Sequence, residues 1–333
     1  MAYTTIDDPT AYFQCKLFTG NASSNAITFD GNTNMQPDFV WVKSRSQAYG
    51  HMLYNSVSGV GKYLSAESNA AENANAPDTL TAFGSNGFTL DDQDNANYTN
   101  GGTGVAWSWK ESATAGFDIC SWTGNGSAQN ISHNLSKVPT MIIVKNRTDA
   151  GADWYVYNVN NGNTHSMILN TNSAKVGAYS DNWNNTTPTS SVFTVGSSNS
   201  TGGSSGDNMI AYVFTDIQGY SKFGSYTGNG NADGTFVYTG FKPSWLMVKK
   251  SSGSGTWFMY DNKRDPDNQM AEYLYPNTSA AAGTSSSGFD FLSNGIKIRN
   301  TFGDANVNGN TFIYIAFAEA PLVGTNNVPC TAR

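Results

Sequence analysis

The chain has 333 residues, of which 13% are charged and 13% aromatic, with 34 glycines and a formal net charge of −7. That length holds two or three domains, the scarcity of charge beside so much Gly, Asn, Ser and Thr describes short strands joined by turns, and the negative balance without a basic stripe speaks against a nucleic-acid partner. No apolar run approaches a membrane span and the segment from Met1 to Asp8 lacks a leader's basic and apolar parts, so the expectation is cytoplasmic synthesis without a signal peptide or membrane insertion.

Residues 1–11 read as a short polar arm, ordered by a neighbour if at all. Next comes an aromatic and a turn, Phe18-Thr19-Gly20-Asn21, and then the heptad Pro37-Asp38-Phe39-Val40-Trp41-Val42-Lys43. Proline has no backbone donor and is tolerated at the start of a strand, while an unbroken apolar run suits a strand covered on both faces. Lys43 is expected to mark the return to solvent. A polar loop at 44–50 and Met52-Leu53-Tyr54-Asn55 make the heptad one arm of a hairpin. Leu64, Phe88-Thr89-Leu90 and an apolar strand from Val105 to Trp109, backed by Glu111, follow.

The same landmarks then recur twice in the same order. The second set is Trp122-Thr123-Gly124-Asn125, Pro139 to Lys145, Trp154-Tyr155-Val156-Tyr157-Asn158, Leu169, Phe193-Thr194-Val195 and Ile210 to Phe214 with Asp216. The third is Tyr226-Thr227-Gly228-Asn229, Pro243 to Lys249, Trp257-Phe258-Met259-Tyr260-Asp261, Leu274, Phe289-Asp290-Phe291 and Phe312 to Phe317 with Glu319. The period is about one hundred residues, far above that of solenoids and propeller blades, so each unit is domain-sized and long enough for a modest core of its own. The fold expected is all-β: three tandem antiparallel β-sandwich repeats of jelly-roll or lectin-like type at 12–112, 113–218 and 219–320, with a second polar arm at 321–333. The short linkers make neighbouring units touch about a pseudo-threefold axis, which also covers strand edges. The best helix candidate, Ala66 to Ala76, has Gly- and Ser-rich counterparts and is allowed a single turn.

Three cysteines, Cys15, Cys120 and Cys330, give no disulfide framework, and the first two read as small core residues. No catalytic residue is assigned. Gly202-Gly203-Ser204-Ser205-Gly206 spells a nucleophile elbow without the strand and helix that motif requires. His51, His133 and His165 fall at unrelated places in their repeats and read as surface or loop residues. The recurring acids Glu111, Asp216 and Glu319 read as strand-end carboxylates or as partners of the recurring lysines Lys43, Lys145 and Lys249. The acid run Asp91, Asp92 and Asp94 supplies oxygen ligands of the kind calcium takes, as does the stretch 261–267, and calcium is the one cofactor considered. Among the aromatics beside Asn and Asp, Trp154 and Trp257 recur in register and read as core, whereas Trp183, Tyr155 and Tyr273 are the candidates for stacking on a sugar face.

The pattern Pro-x-apolar-apolar-apolar-Val-Lys, Trp-x-x-Tyr-Asn/Asp, Leu, Gly-Phe-x-apolar and a closing Ala/aromatic strand, together with Tyr314 to Pro321, resembles a repeat module of structural proteins from tailed bacteriophages, marine ones especially. The resemblance covers nearly all of 12–320. It implies a lectin-like β-sandwich protein on the virion surface, in tail fibres or head decorations. It carries no catalytic residue to this chain, and the first unit departs from it in having His51 where the others have tryptophan. The function expected is therefore a non-enzymatic virion surface protein that serves in host attachment or decorates the capsid. Its expected partners are other virion proteins through the arms, host-surface glycan and further copies of itself. Alternatives are a glycan depolymerase, which needs two carboxylates facing one cleft, and a free lectin-like protein.

Overall fold

The computed structural model describes residues 3–98 and 101–330, with backbone alone at 286 and 287. The chain is all-β, in several antiparallel sheets. The helices among the described residues are single turns, at Pro9–Ala11, Asp94–Asn97 and Ser180–Trp183, and residues 66–76 form turns and one bridge instead.

Each third of the chain builds a large sheet of the same strand order. The opening strands are Phe13–Thr19, Phe117–Thr123 and Ser221–Thr227. Each pairs with the closing strand of its unit, Thr103–Trp109, Asn208–Phe214 or Thr311–Pro321. The closing strand pairs with the heptad strand, Phe39–Ser44, Met141–Asn146 or Phe241–Lys250, and that strand with the return strand, Met52–Asn55, Tyr155–Asn158 or Phe258–Asp261. In the second unit His165–Ile168 and Val176–Gly177 extend the sheet to six strands. Pro243 lies inside its strand rather than at its start, and the ladder is broken by register shifts on both sides of it, as a residue without a donor requires.

A smaller sheet covers the outer face of each large one. It pairs Asn25–Thr28 with Gly87–Leu90 and Leu80–Gly84 in the first unit and Gln129–Ser132 with Val192–Val195 in the second. In the third, the order is Phe236–Tyr238, Gly295–Ile298, Gly283–Leu292, Met270–Tyr273.

The heptads are covered on both faces because alternate side chains enter different cores. Val40 and Val42, Ile142 and Val144, and Leu246 and Val248 point outward, each pair into a cluster drawn from its own unit. Phe39 and Trp41, Met141 and Ile143, and Trp245 and Met247 point inward, into one cluster common to all three units. Rings meet there across the units: Phe39 stacks on Tyr212 at 4.2 Å, Trp109 meets Trp245 edge-on at 5.7 Å, and Phe214 meets Phe317 at 6.0 Å. The units are thus not separate domains with private cores alone. Half of each large sheet is buried only by the other two units.

The Thr-Gly-Asn turns owe their glycine to close packing: a Cβ on Gly20, Gly124 or Gly228 would lie 2.2, 2.6 or 2.4 Å from the carbonyl oxygen of Asn97, Ser204 or Val307.

Polar contacts between units form a closed cycle, each unit gripping the one before it. The Lys145 ammonium donates to Asn69 O at 3.1 Å in the first unit, Lys249 to Ser173 O at 2.8 Å in the second, and Lys43 to Ser279 O at 3.1 Å in the third. These lysines do not return to solvent. They are fully buried, their stems lying along the sheet and their charges held by loop carbonyls, and burial lowers each to about 8. Tryptophan indoles repeat the cycle, Trp154 Nε1 to Ser65 O at 2.9 Å and Trp257 Nε1 to Ile168 O at 3.0 Å. In the first unit His51 Nε2 makes the equivalent bond, 2.9 Å to Tyr275 O. His51 is therefore no surface residue: it is fully buried, with Nδ1 accepting from Trp41 Nε1 at 2.8 Å, and burial followed by the Lys43 charge lowers it to about 3. His133 is likewise buried, and His165 is half-buried. Bidentate pairs Arg45–Glu272 and Arg147–Glu72 reinforce two of the three junctions.

The arms do not wait for a neighbour. Ile6 enters the common core, Thr4 Oγ1 donates to Gln218 O at 2.8 Å, and Tyr3 Oη donates to Gly240 O at 2.8 Å. Leu322 N reaches the same carbonyl at 3.2 Å, and Asp7 accepts from Thr325 N at 2.7 Å, so the two arms clasp each other. Residues 1, 2 and 331–333 of these arms lie outside the described residues. Register places the arms where opening strands start and closing strands end, and the hairpin loops and buried lysines at the opposite end.

Candidate ligand pocket

A cavity of about 560 Å³ opens in the third unit at the hairpin-loop end, lined by Phe258, Tyr273, Tyr275, Phe302 and Asp304 with Thr284 and Ser285. Its walls follow from strand alternation. Leu274 points into the common core, so Tyr273 and Tyr275 on either side share the opposite face. Their rings lie 5.0 Å apart, and Phe258, first residue of the return strand, meets them edge-on at 5.6 and 5.0 Å. Burial and the neighbouring Tyr273 hydroxyl push the Tyr275 phenol up.

The loop between Ile298 and the closing strand supplies Phe302 and Asp304. Asp304 Oδ2 accepts from Thr256 N at 3.2 Å and Oδ1 lies 3.6 Å from Lys250 Nζ, which itself donates to Gly303 O at 2.9 Å. The acid in the lining, Asp304, thus has its charge compensated by Lys250 from outside the lining. Flat aromatic faces beside hydroxyl, carboxylate and ammonium groups are suited to stacking on a neutral ring and hydrogen-bonding its hydroxyls.

Of the residues singled out from sequence, Tyr273 lines this pocket. Tyr155 occupies the place of Phe258 in the second unit, half-buried against that unit's outer core, but Ile168 and Asn170 stand where the third unit has its tyrosines. Asn170 is turned to Asp153 at 2.7 Å, and no aromatic wall forms. Trp183 is not a surface residue. A one-turn helix swings it inward to 2% exposure, where its indole donates to Ser166 Oγ at 2.8 Å and meets Tyr157 edge-on at 5.7 Å.

The calcium expectation finds no converging ligands. Asp91 is tied by its backbone to Thr79 O at 2.7 Å, Asp92 is exposed, and exposed Asp94 heads a helical turn. The stretch 261–267 is occupied structurally: buried Asp261 accepts from Arg264 Nε at 2.5 Å and from Trp107 Nε1 at 3.1 Å, with the Arg264 guanidinium 5.7 Å from the Trp107 ring centre. Among the described residues, no three of His, Cys, Asp and Glu are grouped to hold a metal ion.

The recurring acids stand at the arm end, away from the buried lysines, in clefts between consecutive units. Asp216 pairs with Lys222, and Glu319 with Lys242 at 3.1 Å. Glu111 instead faces a second carboxylate, Asp118, in a cleft of about 300 Å³ also lined by Asp38 and Asn134. Burial, then the Asp118 hydrogen bond and charge, raise Glu111 to about 8. Burial alone would raise Asp118 too, but bonds from Glu111 and from Asn134 N at 2.6 Å hold it below the usual range.

Sequence reasoning missed Phe258, Tyr275, Phe302 and Asp304. The spacing Tyr273-Leu274-Tyr275 around a core leucine was the available signal for one of them, whereas the loop that brings Phe302 and Asp304 has no counterpart of similar sequence. No helix among the described residues is long and apolar enough to cross a membrane. No curated protein matches the chain. A family model described as a domain of unknown function, DUF7483, matches residues 8–321, spanning all three units at once, and the chain belongs to that family.

Proposed function

We propose that the protein is a non-enzymatic surface component of a tailed-bacteriophage virion, on a tail fibre or as a capsid decoration, that holds host-surface glycan in the third unit's pocket. The observation that carries the binding reading is the convergence of four rings with the charge-compensated Asp304 in one open cavity. Placement of the clasped arms at one end and the pocket at the other supports display, with the arm end attached and the pocket outward. The virion assignment rests on the resemblance of the repeat landmarks. A glycan array followed by calorimetry tests the binding: wild type binds a neutral saccharide, and Tyr273→Ala weakens it by about tenfold or more. An array on which nothing binds would sink the reading. Copy number per particle, by quantitative mass spectrometry of virions, tests the placement: parity with the capsid subunit means decoration, a few per cent means tail, and absence rejects a virion role.

A second reading, the depolymerase, needs two carboxylates facing one cleft; Glu111 and Asp118 meet that condition, but their mutual hydrogen bond holds them closer than the roughly 5–9.5 Å of glycosidase pairs. Polysaccharide viscosity that stays constant over hours with purified protein removes it.

A further inference from the structure

The threefold repeat supplies its own controls. The outermost strand of each small sheet has one buried residue in the middle, Ile27, Ile131 or Val237, flanked by two side chains that face solvent. In the first unit these are Ala26 and Thr28, and in the second Asn130 and Ser132, as expected of a solvated edge. In the third they are Phe236, 43% exposed, and Tyr238, 54% exposed. Two units do without a ring at this place; the Tyr238 hydroxyl lies 3.1 Å from Tyr3 Oη of the N-terminal arm, which accounts for its tip but leaves the exposed faces of both rings to be explained.

The surroundings say what the rings would meet. They sit two residues apart on one face, roughly 7 Å along the strand. Gly295 lies opposite Tyr238, and a Cβ there would come within 3.0 Å of Phe236 Cε2 and Cζ, so the Phe236 ring folds across the glycine. Beside the rings run Lys297, paired with Asp233 at 2.7 Å, and Arg299, paired with Asp290 at 2.6 Å. Two cations meet two acids, and the border is dense in hydrogen-bonding groups without net charge. Such a border offers nothing to a polyanion and much to hydroxyls.

We propose that Phe236 and Tyr238 form a second binding surface, a sheet-face platform on which the rings of a neutral polysaccharide stack. It is separate from the pocket: in the small sheet the Phe236–Tyr238 strand is at one edge and the Met270–Tyr273 strand at the other. The platform therefore stands or falls without the pocket.

The test is a double variant that installs the second unit's own residues, Phe236→Asn with Tyr238→Ser, the pair that the equivalent strand carries at Asn130 and Ser132. Native gels are cast with a xyloglucan, a galactomannan or a soluble β-1,3-glucan, and retardation is compared among wild type, the double variant and Tyr273→Ala. The expected result is retardation of wild type by at least one polysaccharide, weakened about tenfold in the double variant and kept in Tyr273→Ala. Wild type that runs freely in all three gels overturns the proposal, as does a double variant retarded like wild type. A concentration-dependent dimer of wild type, lost in the double variant without any retardation, also overturns it and makes the patch a contact between copies. Unchanged unfolding of the double variant in urea shows that the comparison is between folded proteins.

Discussion

Position 51 and position 41 are coupled by the repeat itself, and exchanging them measures that coupling. The first unit has Trp41 and His51 where the second has Ile143 and Trp154 and the third Met247 and Trp257. One large ring fills the space in each unit, but it comes from the heptad strand in the first and from the return-strand side in the others. Trp41→Met alone removes a ring that is 2% exposed and leaves His51 Nδ1 without its donor, at a cost of roughly 3 kcal/mol or more. His51→Trp alone adds a ring against Trp41, whose centre already lies 5.7 Å from the imidazole, and overpacking costs about 1–3 kcal/mol. The double variant recreates the third unit's pair, with an indole to reach Tyr275 O, and is expected to lose about 1–3 kcal/mol less than the two single losses added together. Urea unfolding of the four proteins gives the coupling directly. Additive losses, within about 0.5 kcal/mol, would refute the exchange. The same double variant reports on acid stability. His51 is held at about 3, against 6.5 for an ordinary histidine, so between those values the unfolded chain takes up a proton that the folded one refuses. Wild-type stability is therefore lost as pH falls from about 6.5 towards 3, by at most about 5 kcal/mol from this group, and the double variant lacks that part of the slope.

Three further outcomes are expected. Lys43, Lys145 and Lys249 have folded values of about 8 against 10.5, so the unfolded chain holds more protons between these limits and stability rises as pH is raised from 8 to 10.5. Melting temperatures at pH 8, 9 and 10 check this, and a rise as large in a triple Lys→Met variant as in wild type would refute it. Trp183→Ala costs about 3–5 kcal/mol in urea unfolding while the folded fraction keeps its saccharide binding; the reverse pattern would restore Trp183 as a ligand residue. Arg147→Ala strands the Glu72 carboxylate, whose side chain is 7% exposed, and lowers stability by about 3 kcal/mol, recovered in part by Glu72→Gln in the same chain.

The sequence announced what strand periodicity and proline chemistry control. The heptads and their hairpins could be read from local alternation and proline chemistry, whereas the Thr-Gly-Asn turns and the burial of Trp154 and Trp257 could be read only because they recur in register, their packing partners lying far along the chain at Asn97, Ser204, Val307, Ser65 and Ile168. What could not be read depends on where the next unit lies. Lys43 at the end of an apolar run looks like a return to water until Ser279 O, 236 residues away, is found to receive its ammonium. His51 stands in sequence where the other units have tryptophan, yet that it takes over the indole's bond is seen only when both donate across a junction. Trp183 looks exposed because it has no aromatic counterpart, whereas a unit's outer core is private and need not match its neighbours. Tyr273, a candidate from sequence, does line the cavity, while Phe302 and Asp304 arrive from a loop that only the folded outer layer brings near.

The division between a common inner core and private outer cores also governs where binding chemistry can be placed. An inward-facing side chain touches residues of other units, so a change there, as at Trp41, must be answered by a change nearby, as at His51. An outward-facing heptad side chain packs into its own unit's cluster, and the third unit's outer sheet reaches beyond that unit through Glu272 to Arg45 and through Tyr238 to Tyr3 of the N-terminal arm. Phe258, Tyr273, Tyr275 and Phe302 all belong to the third unit's outer core or its border, and Phe236 and Tyr238 to its outer sheet. Both proposed surfaces thus fall on the outer layer of the third unit, whereas the second unit has Tyr155, Ile168 and Asn170 at the pocket positions and Asn130 and Ser132 at the edge-strand positions. A single chain built this way is a trimer-like scaffold with one specialised unit, and its binding stoichiometry is expected to be one pocket per chain rather than three.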